Sequence, residues 1–149
     1  MKRDPRLHDL SRDHHHALVL ARKALQAVDG ADEDIGAIWT EIAAAFSTDL
    51  QPHFEVEEQY LLVALDQAGE EALSDRTRAE HARLLELVTT EVKSREHLRE
   101  FGELLRDHVR FEEGELFPAA EQRLDEHQLA EVARASAATE TARRRRKES

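Results

Sequence analysis

Apolar residues recur along the chain at intervals of three and four, the period of a helix with one face turned inward. In the first segment Leu7, Leu10, Leu18, Ala21, Leu25 and Val28 share a face, and the pattern stops at Asp29-Gly30-Ala31-Asp32, where glycine favours a helix end. A second segment runs from Ile35 to Ala68, with Phe46, Leu50, Leu61 and Leu65 inward, and ends at Gly69. Inside it Pro52, which has no amide proton, is expected to kink or break the helix just before His53. A third segment begins near Ser74-Asp75, both good capping residues, and carries Leu84, Leu85, Val88 and Val92; Lys93-Ser94-Arg95 offers no Gly or Pro to mark its end. The fourth carries Leu98, Phe101, Leu105, Val109 and Leu116 and is expected to end or bend at Phe117-Pro118, and a short fifth covers Asp125 to Ser136. Four long helices with short joints predict an all-α fold: an antiparallel up-down four-helix bundle over residues 1–136, with the short fifth helix at its C-terminal end. Residues 137–149 read as a basic, flexible tail.

Ionisable residues interrupt these apolar stripes at matching places. On the second helix the seam runs Phe46, Leu50, His53, Glu57, then Tyr60 or Leu61, and on the fourth it runs Leu98, Phe101, Leu105, His108, Glu112, Leu116. His-x-x-x-Glu-Glu is thus written twice, each time with a His and a Glu stacked one turn apart and facing the core. His81 occupies such a position on the third helix. On the first, His14 continues the seam best, with its neighbour His15 as the alternative, whereas His8, His16, His97 and His127 read as solvated.

Two carboxylates and four imidazoles in one apolar interior make a poor structural solution, because an unpaired buried charge costs several kcal/mol or more. A pair of divalent cations removes the difficulty: Glu57 and Glu112 each bridge both ions, while His14 and His53 ligate one and His81 and His108 the other. The chain has no Cys, so thiolate ligands and disulfides are excluded, and His with carboxylate suits iron, manganese or zinc. Around this set, Asp49 is placed to orient the His53 ring, Tyr60 to donate to a carboxylate or ligand, and Thr77 to hold a water; Glu58 and Glu113 read as facing solvent.

In order and spacing, Asp13-His14, His53-Phe54-Glu55-Val56-Glu57-Glu58, Glu80-His81, and His108 to Glu113 followed by Leu116-Phe117-Pro118 resemble the hemerythrin-like family, the HHE cation-binding domain. The resemblance covers about residues 7 to 124 and implies a non-haem di-iron centre, oxo- or hydroxo-bridged, inside the bundle. Oxygen-carrying members have a fifth His one turn before the helix-three His. Thr77 stands there in this chain and leaves room for a water or small ligand. A four-His, two-Glu set is similar to the branch linked to sensing of O2 or NO, to peroxide breakdown or to iron handling. The resemblance therefore implies a binding or sensing protein for a small molecule, with a di-iron redox enzyme acting on peroxide or oxygen as the alternative.

Charge narrows the partners. With 149 residues and a net charge of -11, the chain repels nucleic acid, and Arg143-Arg144-Arg145-Arg146-Lys147 reads as a solubilising end. No apolar run is long enough to span a bilayer, and Met1 to Pro5 shows no signal-peptide pattern, so the expectation is a cytoplasmic protein without membrane or nucleic-acid partners.

Overall fold

The helical periodicity is realised as five helices in the computed structural model, which describes residues 2–148, with no strand among them. A turn at Pro5–Leu7 leads into α1, His8–Ala27. Helix α2 is one rod over 32–67: Asp32–Ala45, a wide i→i+5 turn at Phe46–Leu50, Gln51–Val56, a second wide turn at Glu57–Leu61, and Leu62–Gln67. Helix α3 is Glu71–Thr89. Helix α4 runs from Arg95–Phe111 through a third wide turn at Glu112–Leu116 into Phe117–Arg123, and α5 is Glu126–Glu148.

Several boundaries follow the chain's own signals. Gly69 takes a φ of 88°, and Glu70 donates its N–H back to the Leu65 carbonyl, the glycine-dependent closure of a helix end. Ser94, which carries no stop signal for α3, is instead the start signal for α4: its hydroxyl accepts the His97 N–H at 3.0 Å.

Other boundaries differ from the sequence expectation. Helix α3 begins at Glu71, and Ser74 lies buried inside it with its hydroxyl donating to the Leu62 carbonyl at 3.3 Å; a polar contact with α2 takes the place of a cap. Neither Pro52 nor Pro118 ends its helix, because each follows a wide turn that has already displaced the carbonyls one turn back. One carbonyl in the wide turn ahead of Pro118, that of Glu113, accepts from Arg3 at 2.7 Å. Helix α5 does not stop at Ser136 but continues through Ala137, Ala138 and Ala142, the residue type with the highest helix propensity. Leu18 and Val92, expected inward, are exposed: Ala17 takes the inward place on α1, and Val92 lies beyond the end of α3.

Two apolar clusters make up the core. The larger holds Ala17, Leu20, Trp39, Phe46, Leu50, Leu84, Phe101 and Leu105 among others; the second holds Leu7, Leu10, Val56, Leu61, Leu116, Phe117 and Val132. A layer of His and Glu separates them. Helix α1 packs most extensively against α4, and a Cβ at Gly102 would lie 2.7 Å from Leu25 Cγ and 3.2 Å from the Ala21 carbonyl oxygen. Gly102→Ala is therefore expected to destabilise the fold by about 1–2 kcal/mol, overpacking outweighing alanine's better helix propensity. Chemical denaturation measures this, and an unchanged or raised midpoint contradicts the close approach.

Candidate metal centre

Each of the first four helices brings its polar residue to the level where the two apolar clusters meet. On α1 it follows Leu10 and precedes Ala17; on α4 it follows Leu105 and precedes Leu116. His14, His53, Glu57, His81, His108 and Glu112 are each 5% exposed or less, and they converge. His15, the alternative on α1, is exposed.

The two glutamates lie at the middle of the cluster. Glu57 Oε2 is 3.2 Å from His53 Nε2 and its Oε1 is 3.1 Å from His81 Nε2. Glu112 Oε1 accepts from His14 Nε2 at 2.8 Å, and its Oε2 lies 3.1 Å from His108 Nε2. Two groups result, His14, His53, Glu57 and Glu112 on one side and Glu57, His81, His108 and Glu112 on the other. Both contain both glutamates. Within each group the candidate ligand atoms lie within 4.8 Å of one another, so each could hold a metal ion.

The donor atoms fit cations better than they fit each other. His53, His81 and His108 Nε2, both Glu57 oxygens and Glu112 Oε2 are buried without an aligned hydrogen bond despite these short separations. Bonds of about 2.0–2.2 Å from one ion to nitrogen and oxygen place neighbouring ligands about 3.0–3.5 Å apart, which the His53–Glu57, His81–Glu57 and His108–Glu112 separations of 3.1–3.2 Å match. Glu57 and Glu112 are also each the first residue of a wide turn, with their carbonyls accepting from Leu62 and Phe117 five residues on. Such turns, which recur at functional sites, have no signal here in the apolar periodicity.

Every imidazole is held from behind by a carboxylate on another helix. Nδ1 of His53 donates to Asp13 at 2.9 Å, of His81 to Glu58 at 2.7 Å, of His108 to Glu80 at 2.7 Å and of His14 to Glu113 at 2.6 Å. The four contacts form a closed ring: α1 holds the α2 ring, α2 holds the α3 ring, α3 holds the α4 ring, and α4 holds the α1 ring. Each of these carboxylates is the chain neighbour of an inward residue. With the Nδ1 proton given to an acceptor, the neutral ring presents the Nε2 lone pair to the centre.

Several sequence expectations are corrected here. Asp13, not Asp49, holds His53, because Asp49 faces Arg143 instead, 3.7 Å away. Glu58 and Glu113 are partly exposed yet bind His81 and His14. Tyr60 is 39% exposed on the outer surface. Thr77 is buried as expected, but its hydroxyl donates to the Leu73 carbonyl at 2.8 Å. Of the histidines read as solvated, His97 is half-buried with Nδ1 on the Val92 carbonyl, and His8, His16 and His127 are exposed. Phe54 stacks on the His81 ring at 3.8 Å and Phe117 on His14 at 5.3 Å, so both phenylalanines of the sequence motifs shield imidazoles from water.

Electrostatics bind protons where cations would sit. Burial favours neutral His81, but the nearby Glu112, Glu57 and Glu58 carboxylates outweigh it and push the ring up to about 10. His108 is likewise pushed up to about 9 against its burial by Glu112 and Glu80. Burial also opposes the Glu112 carboxylate, yet His108, His14 and His53 hold it well below the usual range. The raised values stabilise the metal-free fold in full below the ordinary histidine value of 6.5, and that contribution is lost as pH rises through about 9 and 10. A divalent cation needs neutral rings and must displace these protons. Its apparent affinity is therefore expected to rise with pH between 6 and 8, with proton release on binding. Cobalt(II) titration in weakly buffered solution with a pH indicator reads both, and a pH-independent affinity without proton release contradicts the assignment.

Among protein families, the model described as "Hemerythrin HHE cation binding domain" matches residues 6–120. No curated protein and no solved structure matches the chain significantly.

Proposed function

Because this chain belongs to the hemerythrin HHE cation-binding domain family, we propose that its buried His and Glu cluster holds two iron ions and binds or senses a small molecule such as O2 or NO. The observation that carries this reading is the sharing of Glu57 and Glu112 by two overlapping ligand groups. A carboxylate with one oxygen toward each group is suited to bridge two ions, while His14 with His53 and His81 with His108 complete the two sides. Support for the antiparallel up-down bundle comes from the core: α1 and α3 run from the Leu7 cluster towards the Trp39 cluster, and α2 and α4 run back.

Bound ferrous ions would supply a redox-active Lewis acid within reach of a diatomic molecule. The chain's own residues hold the surroundings. Phe54, Phe117, Leu105 and Val109 exclude bulk water, and the outer carboxylates keep each imidazole in the tautomer that ligates. The test is the optical spectrum of protein reconstituted anaerobically with ferrous iron, taken before and after O2 or NO and again after degassing. Bands that appear and then reverse support a carrier or sensor. Irreversible oxidation with many peroxide turnovers per site would replace this reading with a redox enzyme.

A further inference from the structure

Beyond the residues matched by the family model, one side chain of α5 reaches the edge of the centre. Arg143 is only 9% exposed and is enclosed by three carboxylates: Asp13 at 3.2 Å, Glu140 at 3.1 Å and Asp49 at 3.7 Å. Asp13 is the same carboxylate that accepts from His53 Nδ1. A continuous chain of contacts thus runs from the C-terminal helix through Asp13 to an inward-facing imidazole.

The contact also lies between two cavities. A surface cleft of about 200 Å³ has Lys23, Glu41 and Asp49 at its exposed mouth and the half-buried Asp13 with the buried Ala17 and Leu50 at its floor, with Arg143 in its wall. A second cavity, of about 10 Å³ and so with room for one water-sized molecule, shares Asp13, Ala17 and Leu50 with that floor and is bounded by His14, His53 and His108. Asp13 stands in the wall of both spaces. We propose that the Arg143–Asp13 ion pair is the latch of the route by which small ions and molecules pass between the surface cleft and the metal centre.

The inference rests on the metal-binding reading of the centre. An ion travelling this route meets, at Asp13, a carboxylate that the Arg143 guanidinium already occupies. Passage needs the guanidinium to leave Asp13, and Arg143, anchored on Glu140 of its own helix, is held against leaving.

Cobalt(II) serves as the probe. The purified full chain is loaded with it, and release into excess chelator is followed through the cobalt absorption bands for the native protein, Arg143→Ala, Arg143→Lys and Arg95→Ala. Arg95 is a matched control: it bonds the Val28 and Gly30 carbonyls and Asp32 between α1 and α2, so its loss weakens the fold without touching the route. Release from Arg143→Ala is expected to be about tenfold faster or more, the scale on which residues behind a ligand affect metal sites. Arg143→Lys, which keeps a charge on Asp13, should recover most of the slow release, and Arg95→Ala should match the native protein. Equal release from Arg143→Ala and the native protein, both cobalt-loaded, overturns the latch and leaves the metal centre standing, as does equal acceleration by Arg95→Ala. Failure of the native protein to bind cobalt overturns the metal reading and the latch with it.

Discussion

Glu112→Ala is expected to empty both halves of the centre at once, lowering metal content from two ions per chain to near none. Glu112 Oε1 faces His14 and His53, at 2.8 and 3.8 Å, and its Oε2 faces His108 and His81, at 3.1 and 3.9 Å, so no imidazole of the cluster is independent of it. A residue behind a ligand is worth about 10–100-fold in metal affinity, and a carboxylate serving both ions should exceed the upper end of that range. His14→Ala is the contrast, since it removes a ligand from one group only and should leave the Glu57, His81, His108, Glu112 group able to retain an ion. Elemental analysis of the two purified variants reads the difference. Equal metal content in Glu112→Ala and the native chain would remove the bridging role.

Removing the metal is expected to lower the thermal midpoint by about 15–30 °C. An ion present at a thousandfold its Kd stabilises the folded state by about 4 kcal/mol, so two contribute about 8 kcal/mol. For a chain of this size each kcal/mol moves the midpoint by about 2–4 °C. At neutral pH protonated imidazoles partly replace the cations in the metal-free state, with His81 pushed up to about 10 and His108 to about 9. The loss should therefore be larger near pH 10 than near pH 7, where those protons are still present. Calorimetric scans of chelated and metal-loaded protein at the two pH values decide it; midpoints that coincide would contradict a structural contribution from bound ions.

The inward residues were legible because a polar side chain on an apolar stripe breaks a strong period. His53, Glu57, His108 and Glu112 replace core positions at the i, i+4 spacing, and all four lie buried where the stripe predicts. What holds them was not legible. Asp13, Glu58, Glu80 and Glu113 sit one residue off the stripe, where periodicity assigns solvent, and each acts on a ring of a different helix, which no pattern within one helix reveals. The doubled glutamates of both motifs and the acidic residue before His14 and His81 were the available signal, since each is the neighbour of an inward residue.

Backbone features escaped for a related reason. Pro52 and Pro118 are correctly read as incompatible with an ordinary α-turn, but a wide turn resolves that conflict as well as a break does and leaves the apolar stripe intact. Helix α5 shows the limit of reading charge alone. Arg143 opens a run of basic residues and would be solvated in isolation, yet three acidic residues, two from distant parts of the chain, enclose it.

The most direct measurement is a ferrous iron titration of the metal-free native chain under anaerobic conditions, with bound iron counted per chain after gel filtration. Saturation at two irons per chain is the predicted result. Saturation at one, or no stoichiometric binding, would contradict a paired centre built on His14, His53, Glu57, His81, His108 and Glu112.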